Sequence, residues 1–198
     1  MMETFLAIYL KVFVVLTPFF VLSMFIALTE RYSGTEKRRL VVRTTATVLL
    51  VAMSVFFEGH WIFTIFGVTL EAFQIGAGTL LFLTAISLVQ GSAGRPHHHD
   101  GSDPAVVPLA IPITIGPGAI GTFMVMGANV VEPAAKVVAA VAILSAILSV
   151  CVLLFLAGWI EQVLGRARLI VLSKLTGLLV ASIAAQMIFT GIRHFLVP

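Results

Sequence analysis

The sequence has few charged residues. Asp, Glu, Lys and Arg together make up 11% of its 198 residues, whereas a soluble domain carries about 25%. The chain therefore lacks the side chains that would cover a surface facing water. Hydrophobic residues make up 60% of it, and this composition predicts an integral membrane protein.

The sequence also lacks the usual motifs of enzymes and metal proteins. It contains one cysteine, Cys151, which excludes a disulfide framework. Nucleophile elbow, Walker loop, dinucleotide fingerprint and HExxH patterns are absent, so we predict neither enzymatic activity nor a cofactor. The run His97–His99 lies in a polar stretch bounded by Gly and Pro, without zinc-ligand spacing, and is interpreted as part of a solvated linker.

Six segments are long and apolar enough to cross about 30 Å of hydrocarbon. They show no period-2 alternation, and a backbone in lipid must satisfy its own hydrogen bonds, so the segments are predicted to be helices. The expected fold is all-α, a polytopic bundle of six transmembrane helices. The predicted spans are Phe5–Leu28, Leu40–Phe57, Phe73–Val89, Ala105–Ala128, Ala134–Ile160 and Leu169–Val197.

Basic residues are distributed unevenly between the connections. Nine of the twelve lie in the first, third and fifth connections: Arg31, Lys37, Arg38, Arg39, Arg43, Arg95, Arg166, Arg168 and Lys174. The positive-inside bias then makes these connections cytoplasmic and puts both termini outside. No small-residue cleavage site follows the first residues, so the first span is expected to be retained. The net charge of +3 is thus explained by the basic residues that orient the chain in the membrane, and no nucleic-acid partner is predicted.

The two halves of the chain resemble each other at an offset of 99 residues. The coinciding pairs are Pro18 with Pro117, Ser23 with Thr122, Gly59 with Gly158, and Gly78 with Gly177. We predict a three-helix repeat over residues 1–90, a cytoplasmic linker over 91–104, and a second repeat over 105–198. Because each repeat has three spans, the second must be inverted, as in many secondary transporters.

Prolines interrupt the first and fourth spans at equivalent positions. Each removes an N–H, leaves carbonyls near Val14 and Ile113 without partners, and starts a new helix whose first N–H groups are unpaired. Such an end suits a carboxylate, and freed carbonyls suit an ammonium group or Na⁺, so a zwitterion fits both. The alternative is a simple packing kink. The candidate substrate-binding residues are Thr17, Pro18, Phe19, Phe20, Ser23, Gly116, Pro117, Gly118, Ala119 and Thr122.

The segment "DPAVVPLAIPITIGPGAIGTFMVM" (Asp103 to Met126) resembles the signature of the MarC family. "GVTLEAFQIGAGTLLFLTAISLV" (from Gly67) and "LSKLTGLLVASIAAQMIFTGI" (from Leu172) are similar to that family's third and last spans, so the resemblance covers essentially the whole chain. One departure is Thr17, where the family usually has Asn before the proline. The resemblance implies a bacterial or archaeal cytoplasmic membrane protein, related to the LysE-type exporter superfamily, that carries small neutral amino acids such as glycine or alanine.

Other readings stay open from the residues alone. No Asp or Glu lies deep in a predicted span, which favours Na⁺ over H⁺ as a coupling ion, or passive exchange. Gln74 and Gln186 are expected to make hydrogen bonds between helices. A structural or regulatory membrane protein and a passive small-solute channel are the alternative functions. The expected partners are a small-molecule substrate and the lipid bilayer, and homo-oligomerisation is left open.

Overall fold

The computed structural model describes residues 2–91 and 114–196, and within these ranges the chain forms α-helices and no strand. The helices are α1 (Met2–Val15), α2 (Pro18–Leu28), α3 (Gly34–Phe66), α4 (Leu70–Gln90), α5 (Pro117–Asn129), α6 (Pro133–Phe155) and α7 (Ala157–Leu196). The all-α prediction is confirmed for this part of the chain. The predicted linker 91–104, apart from Gly91, lies outside the described residues, as does the run His97–His99.

Five helical segments are long and apolar enough to cross a membrane. They are Met2–Leu28, Gly34–Gly59, Leu70–Gln90, Pro133–Phe155 and Ala157–Leu196. The first combines α1 and α2. The remaining predicted span, Ala105–Ala128, lies partly outside the described residues. Its described part, α5, has 13 residues, or about 20 Å of helix, which is shorter than the hydrocarbon thickness.

Caps extend α3 well beyond the predicted span Leu40–Phe57. At its start, the Ser33 N–H donates to Glu36 Oε2 over 2.7 Å, and the Glu36 N–H donates to Ser33 Oγ over 3.4 Å. This is a capping box, in which two unpaired donors are satisfied reciprocally. The helix ends at Gly67, whose φ of 63° suits glycine. Apolar length thus identified the span, whereas local hydrogen bonds set the helix ends.

The predicted loop between the fifth and sixth spans is wrong, because the chain is helical there. The predicted span Ala134–Ile160 instead covers the end of α6 at Phe155 and the start of α7 at Ala157, and α7 runs through the basic residues that follow. The one non-helical residue inside α7 is Gly165, with φ 73° and ψ 155°. Glycine adopts this positive φ without a Cβ clash, so the chain can change direction there.

Ion pairs bring the first and fifth connections to the same end of the bundle. Arg166 Nε lies 2.6 Å from Glu161 Oε1, and its Nη2 lies 3.2 Å from Glu30 Oε1. We call this end, which holds residues 29–33 and 161–166, the basic end. The opposite end, which holds Met2 and Leu196, is the terminal end.

The packing of α4 against α7 is reciprocal. A Cβ added at Gly78 would meet α7, and one added at Gly177 would meet α4. The atoms met are Ile188 Cγ1 (2.8 Å) and Ala184 O (3.1 Å) for Gly78, and Val89 Cγ2 (3.0 Å) and Ala85 O (3.3 Å) for Gly177. The two helices are therefore antiparallel. Each α7 residue in this set is numbered 99 above its α4 counterpart, as at an interface with twofold symmetry.

Candidate functional site

The first predicted break is present. Helix α1 ends at Val15, and α2 begins at Pro18, which needs no N–H at the first helical position. The carbonyl of Val14, which an unbroken helix would pair with residue 18, instead accepts the Thr17 N–H over 2.9 Å. The prediction that this carbonyl loses its partner is therefore wrong. The α1–α2 discontinuity itself is confirmed.

Thr17 joins the two half-helices in a strained conformation. Its φ of 48° and ψ of 56° lie in the left-handed region, and no other non-glycine residue in the described ranges has a positive φ. For a β-branched residue this costs about 1–2 kcal/mol. Thr17 is also buried, with 5% of its surface exposed. Conformations of this kind persist where surrounding contacts enforce them, and they cluster at functional sites.

Replacing Thr17 with asparagine is expected to stabilise the protein, because asparagine tolerates the left-handed region. A gain of about 1 kcal/mol corresponds to a rise of roughly 2–4 °C in melting temperature for a chain of this size. Melting followed by circular dichroism in detergent measures it. Thr17→Val is the matched control, since valine keeps the β-branch and the strain. If Thr17→Asn melts no higher than the native protein, the strained break is contradicted.

The second break is described only on its C-terminal side. Gly116 caps α5 with φ −83° and ψ 171°, Pro117 is the first helical residue, and the Ile120 N–H donates to Gly116 O over 3.0 Å. Residues 92–113, which directly precede Thr114, lie outside the described ranges. The start of α5 at Pro117 matches the start of α2 at Pro18, as the offset of 99 residues predicts.

Gly118 has a packing role. A Cβ there would lie 2.5 Å from Leu81 Cα and 2.7 Å from Leu81 N. Only glycine therefore allows α5 to approach the α4 backbone this closely, an approach typical of helix pairs in membranes. Its neighbour Ala119 is buried in the hydrophobic core. These two predicted site residues therefore fix the position of α5.

Residues next to both breaks line one small cavity. Leu16, from the first break, and Thr114, from the second, share it with Thr44 and Thr45 of α3 and with Cys151 of α6. Its volume is about 10 Å³, room for about one water molecule. We call this space the break cavity. In this conformation it is too small for an amino acid.

Wider cavities lie toward both ends of the bundle, and two of them are bordered by equivalent helix faces; a further one of about 230 Å³ lies at the basic end beside Thr29 and Glu161. The terminal cavity, of about 320 Å³, is lined on α5 by Thr122, Val125 and Met126. The basic-end cavity, of about 180 Å³, is lined on α2 by Ser23, Ile26 and Ala27. Each α5 position is 99 residues beyond its α2 counterpart, so equivalent helix faces border the two cavities. The cavities differ in size, and the terminal one is the larger.

Two predicted hydroxyl groups bond within their own helices. Ser23 Oγ donates to Phe19 O over 2.9 Å, and Thr122 Oγ1 donates to Gly118 O over 2.9 Å. This is the usual behaviour of such residues in membrane helices. Because each hydroxyl proton is already used, these oxygens are left to act as acceptors toward the cavities they border.

Two polar residues of the terminal cavity are not among the predicted site residues. Lys11 lies within the span Met2–Leu28 and lines this cavity. It is one of the three basic residues outside the nine assigned to the cytoplasmic connections, and its sequence signal is its position inside an apolar run. Gln74 is buried, and its Oε1 has no hydrogen-bond partner among the described residues. The predicted interhelical hydrogen bond is therefore wrong for that atom.

Comparison with known proteins decides the family. The model of the MarC family of integral membrane proteins matches residues 2–196. The chain belongs to the MarC family. It is 31% identical over 199 residues to a UPF0056 membrane protein of Methanocaldococcus jannaschii, with 97% of each chain covered.

Two bacterial relatives also match this MarC chain over most of its length. It is 28% identical to the UPF0056 membrane protein YvbG of Bacillus subtilis, over 94% of this chain and 92% of the relative. It is 27% identical to YhcE of Escherichia coli, over 93% and 90%. No solved structure matches. The resemblance seen in the sequence is confirmed, and the chain is an integral, multi-pass membrane protein with archaeal and bacterial relatives.

Proposed function

We propose that this MarC chain is a secondary transporter for small neutral amino acids of glycine or alanine size. The substrate binds beside the two helix breaks, near the middle of the membrane. The observation that carries the proposal is that Leu16 and Thr114, next to the two breaks, line one cavity. Two wider cavities, toward the two ends of the bundle, are bordered by equivalent residues of α5 and α2. This is the arrangement expected of a central site reached from either side.

The main chain at the break favours a zwitterion. The Phe20 and Val21 N–H groups both donate to Thr17 O over 3.0 Å, whereas the Phe19 N–H has no main-chain acceptor among the described residues. That free donor lies at the positive end of the α2 dipole, where a substrate carboxylate is stabilised. The side chains of Thr44, Thr45 and Thr114 supply oxygen atoms around the break cavity.

The reciprocal α4–α7 interface supports two inverted three-helix repeats, with the predicted span Ala105–Ala128 as the sixth; only its part from Thr114 on lies within the described residues. In such a transporter the two repeats exchange conformations, so that each side opens in turn. The larger terminal cavity corresponds to a conformation open toward the terminal end. The charge bias at the basic end makes the terminal end the outer side, so both termini would be outside.

The surroundings of the break also bear on coupling. Among the described residues, no carboxylate lines the break cavity or the terminal cavity. Na⁺ held by carbonyl and hydroxyl oxygens, or plain exchange, therefore fits better than a proton carried on an acidic side chain. A passive channel fits less well, because a cavity with room for one water molecule interrupts the route.

Counterflow in proteoliposomes tests the proposed function. Vesicles loaded with unlabelled alanine are expected to take up external radiolabelled glycine or alanine faster than vesicles loaded with sucrose, because a carrier exchanges substrate across the membrane. Protein-free liposomes are the control. A stimulation that requires Na⁺ identifies the coupling ion. If no counterflow occurs across a broad amino-acid panel, the transporter proposal fails and a structural or regulatory role takes its place.

A further inference from the structure

The terminal cavity carries polar groups that have no counterpart in the other repeat. Its volume of about 320 Å³ lies at the lower end of the range for small-molecule sites. Ile8, Val125 and Met187 supply apolar wall, while Lys11 and Gln74 supply a cation and an amide. At the equivalent positions, 99 residues further along, the sequence has Ala110 and Ser173. The ammonium group and the amide therefore have no equivalents in the second repeat, where Ser173 offers only a hydroxyl.

Gln74 is fixed by packing, and its side-chain oxygen lacks a hydrogen-bond donor among the described residues. It is 5% exposed, and its Oε1 has no hydrogen-bond partner within residues 2–91 and 114–196. The close approach of Gly191, where an added Cβ would lie 3.1 Å from Gln74 Cβ, keeps this part of α4 against α7. A buried acceptor without a partner is costly and rare. Its equivalent, Ser173, is satisfied by donating to Leu169 O. Gln74 Oε1 therefore calls for a donor from a bound molecule.

Lys11 requires a hydrogen-bond acceptor, whereas Gln74 Oε1 requires a donor. Its ammonium group offers three donors and a positive charge, and it can accept no hydrogen bond. Ionisable side chains inside a membrane span are expensive and usually mark a functional site. No carboxylate among the described residues lines the cavity with it. A ligand carboxylate is the group that would pair with it.

We propose that the terminal cavity is a binding site for a neutral α-amino acid with a sizeable apolar side chain. The ligand ammonium group donates to Gln74 Oε1, its carboxylate pairs with Lys11, and its side chain packs against Val125 and Met187. This inference rests on the proposed function in taking the cavity as the outer vestibule of the transport route. It extends that function to amino acids larger than those the break cavity would pass.

Binding of radiolabelled L-leucine to the full-length protein in detergent tests the site. The competitors are 3-methylbutylamine, which lacks the carboxylate, and 4-methylpentanoate, which lacks the amine. Leucine is expected to bind more tightly than either. Gln74→Leu is expected to weaken leucine binding by at least about tenfold, because the acceptor is lost. Lys11→Met is expected to remove the preference for leucine over 3-methylbutylamine.

Matched controls change the same residue types elsewhere. Gln162→Leu alters an exposed glutamine at the basic end, and Lys136→Met alters a lysine outside this cavity. Both variants are expected to bind leucine as the native protein does. Size-exclusion profiles and melting curves check folding. Should Gln74→Leu misfold, Lys11→Met decides the result, because Lys11 is exposed and its change leaves the core intact.

Outcomes separate this site from the transport proposal. If the native protein binds no leucine, or if both cavity variants bind it as well as the native protein does, the site is overturned. Counterflow of the same broad amino-acid panel is measured on the same preparations. Counterflow without leucine binding leaves the transporter proposal standing alone. Leucine binding that depends on Gln74 and Lys11, without counterflow, supports the site and overturns the transporter.

Discussion

Replacing Gly118 with alanine is expected to lower the melting temperature by roughly 6–12 °C. The added Cβ would lie 2.5 Å from Leu81 Cα and 2.7 Å from Leu81 N, and backbone atoms cannot rotate away as a side chain can. Helix α5 must then move off α4, which costs about 3 kcal/mol at the upper end of ordinary overpacking. Circular dichroism melting in detergent measures the change.

Gly76→Ala is the matched control for this experiment. Gly76 lies in the middle of α4, and an added Cβ there would meet nothing within 4 Å. Alanine is the better helix former by roughly 0.5–1 kcal/mol, so this variant is expected to melt at or above the native temperature. If Gly118→Ala melts within about 2 °C of the native protein, the close α4–α5 approach is contradicted.

The same contact limits what position 118 can reveal about transport. A leucine there would disturb packing as well as any ligand nearby, so lost transport would not identify a binding site. Gly116 is the cleaner position, because its φ of −83° is open to any residue. Gly116→Leu therefore tests the break without straining the backbone at that residue.

The membrane fold could be predicted from two strong sequence signals. Apolar length identifies spans because the hydrocarbon thickness is fixed. Proline marks a helix start because it lacks an N–H, and both α2 and α5 begin at a proline. The offset of 99 residues also paired Gly78 with Gly177, and these two residues occupy reciprocal positions of the α4–α7 interface.

Other features depend on information that hydropathy does not carry. The break between α6 and α7 depends on local backbone geometry within a continuous apolar run, and the change of direction at Gly165 depends on local backbone geometry next to charged residues. That Gln74 Oε1 lacks a hydrogen-bond partner in the described part of the chain depends on which residues the fold brings near it. Lys11 could have been found from its place inside the first apolar span.

The central claim is that substrate passes beside the two breaks. Cys151 allows that claim to be tested directly, because it is the sole cysteine of the chain and lines the break cavity together with Leu16 and Thr114. Cys151 is half-buried, and a membrane-impermeant methanethiosulfonate reagent reacts with it where water reaches the break cavity. A bound amino acid would occupy the same space and block the reaction.

The most direct measurement is the rate at which this reagent modifies Cys151 in vesicles with and without alanine. Cys151→Ser combined with Gln162→Cys is the control, since position 162 is exposed at the basic end and its rate is expected to ignore alanine. At alanine concentrations ten times its Kd, modification of Cys151 is expected to slow by about tenfold. An unchanged rate in vesicles that carry out alanine counterflow would contradict a substrate route beside the breaks.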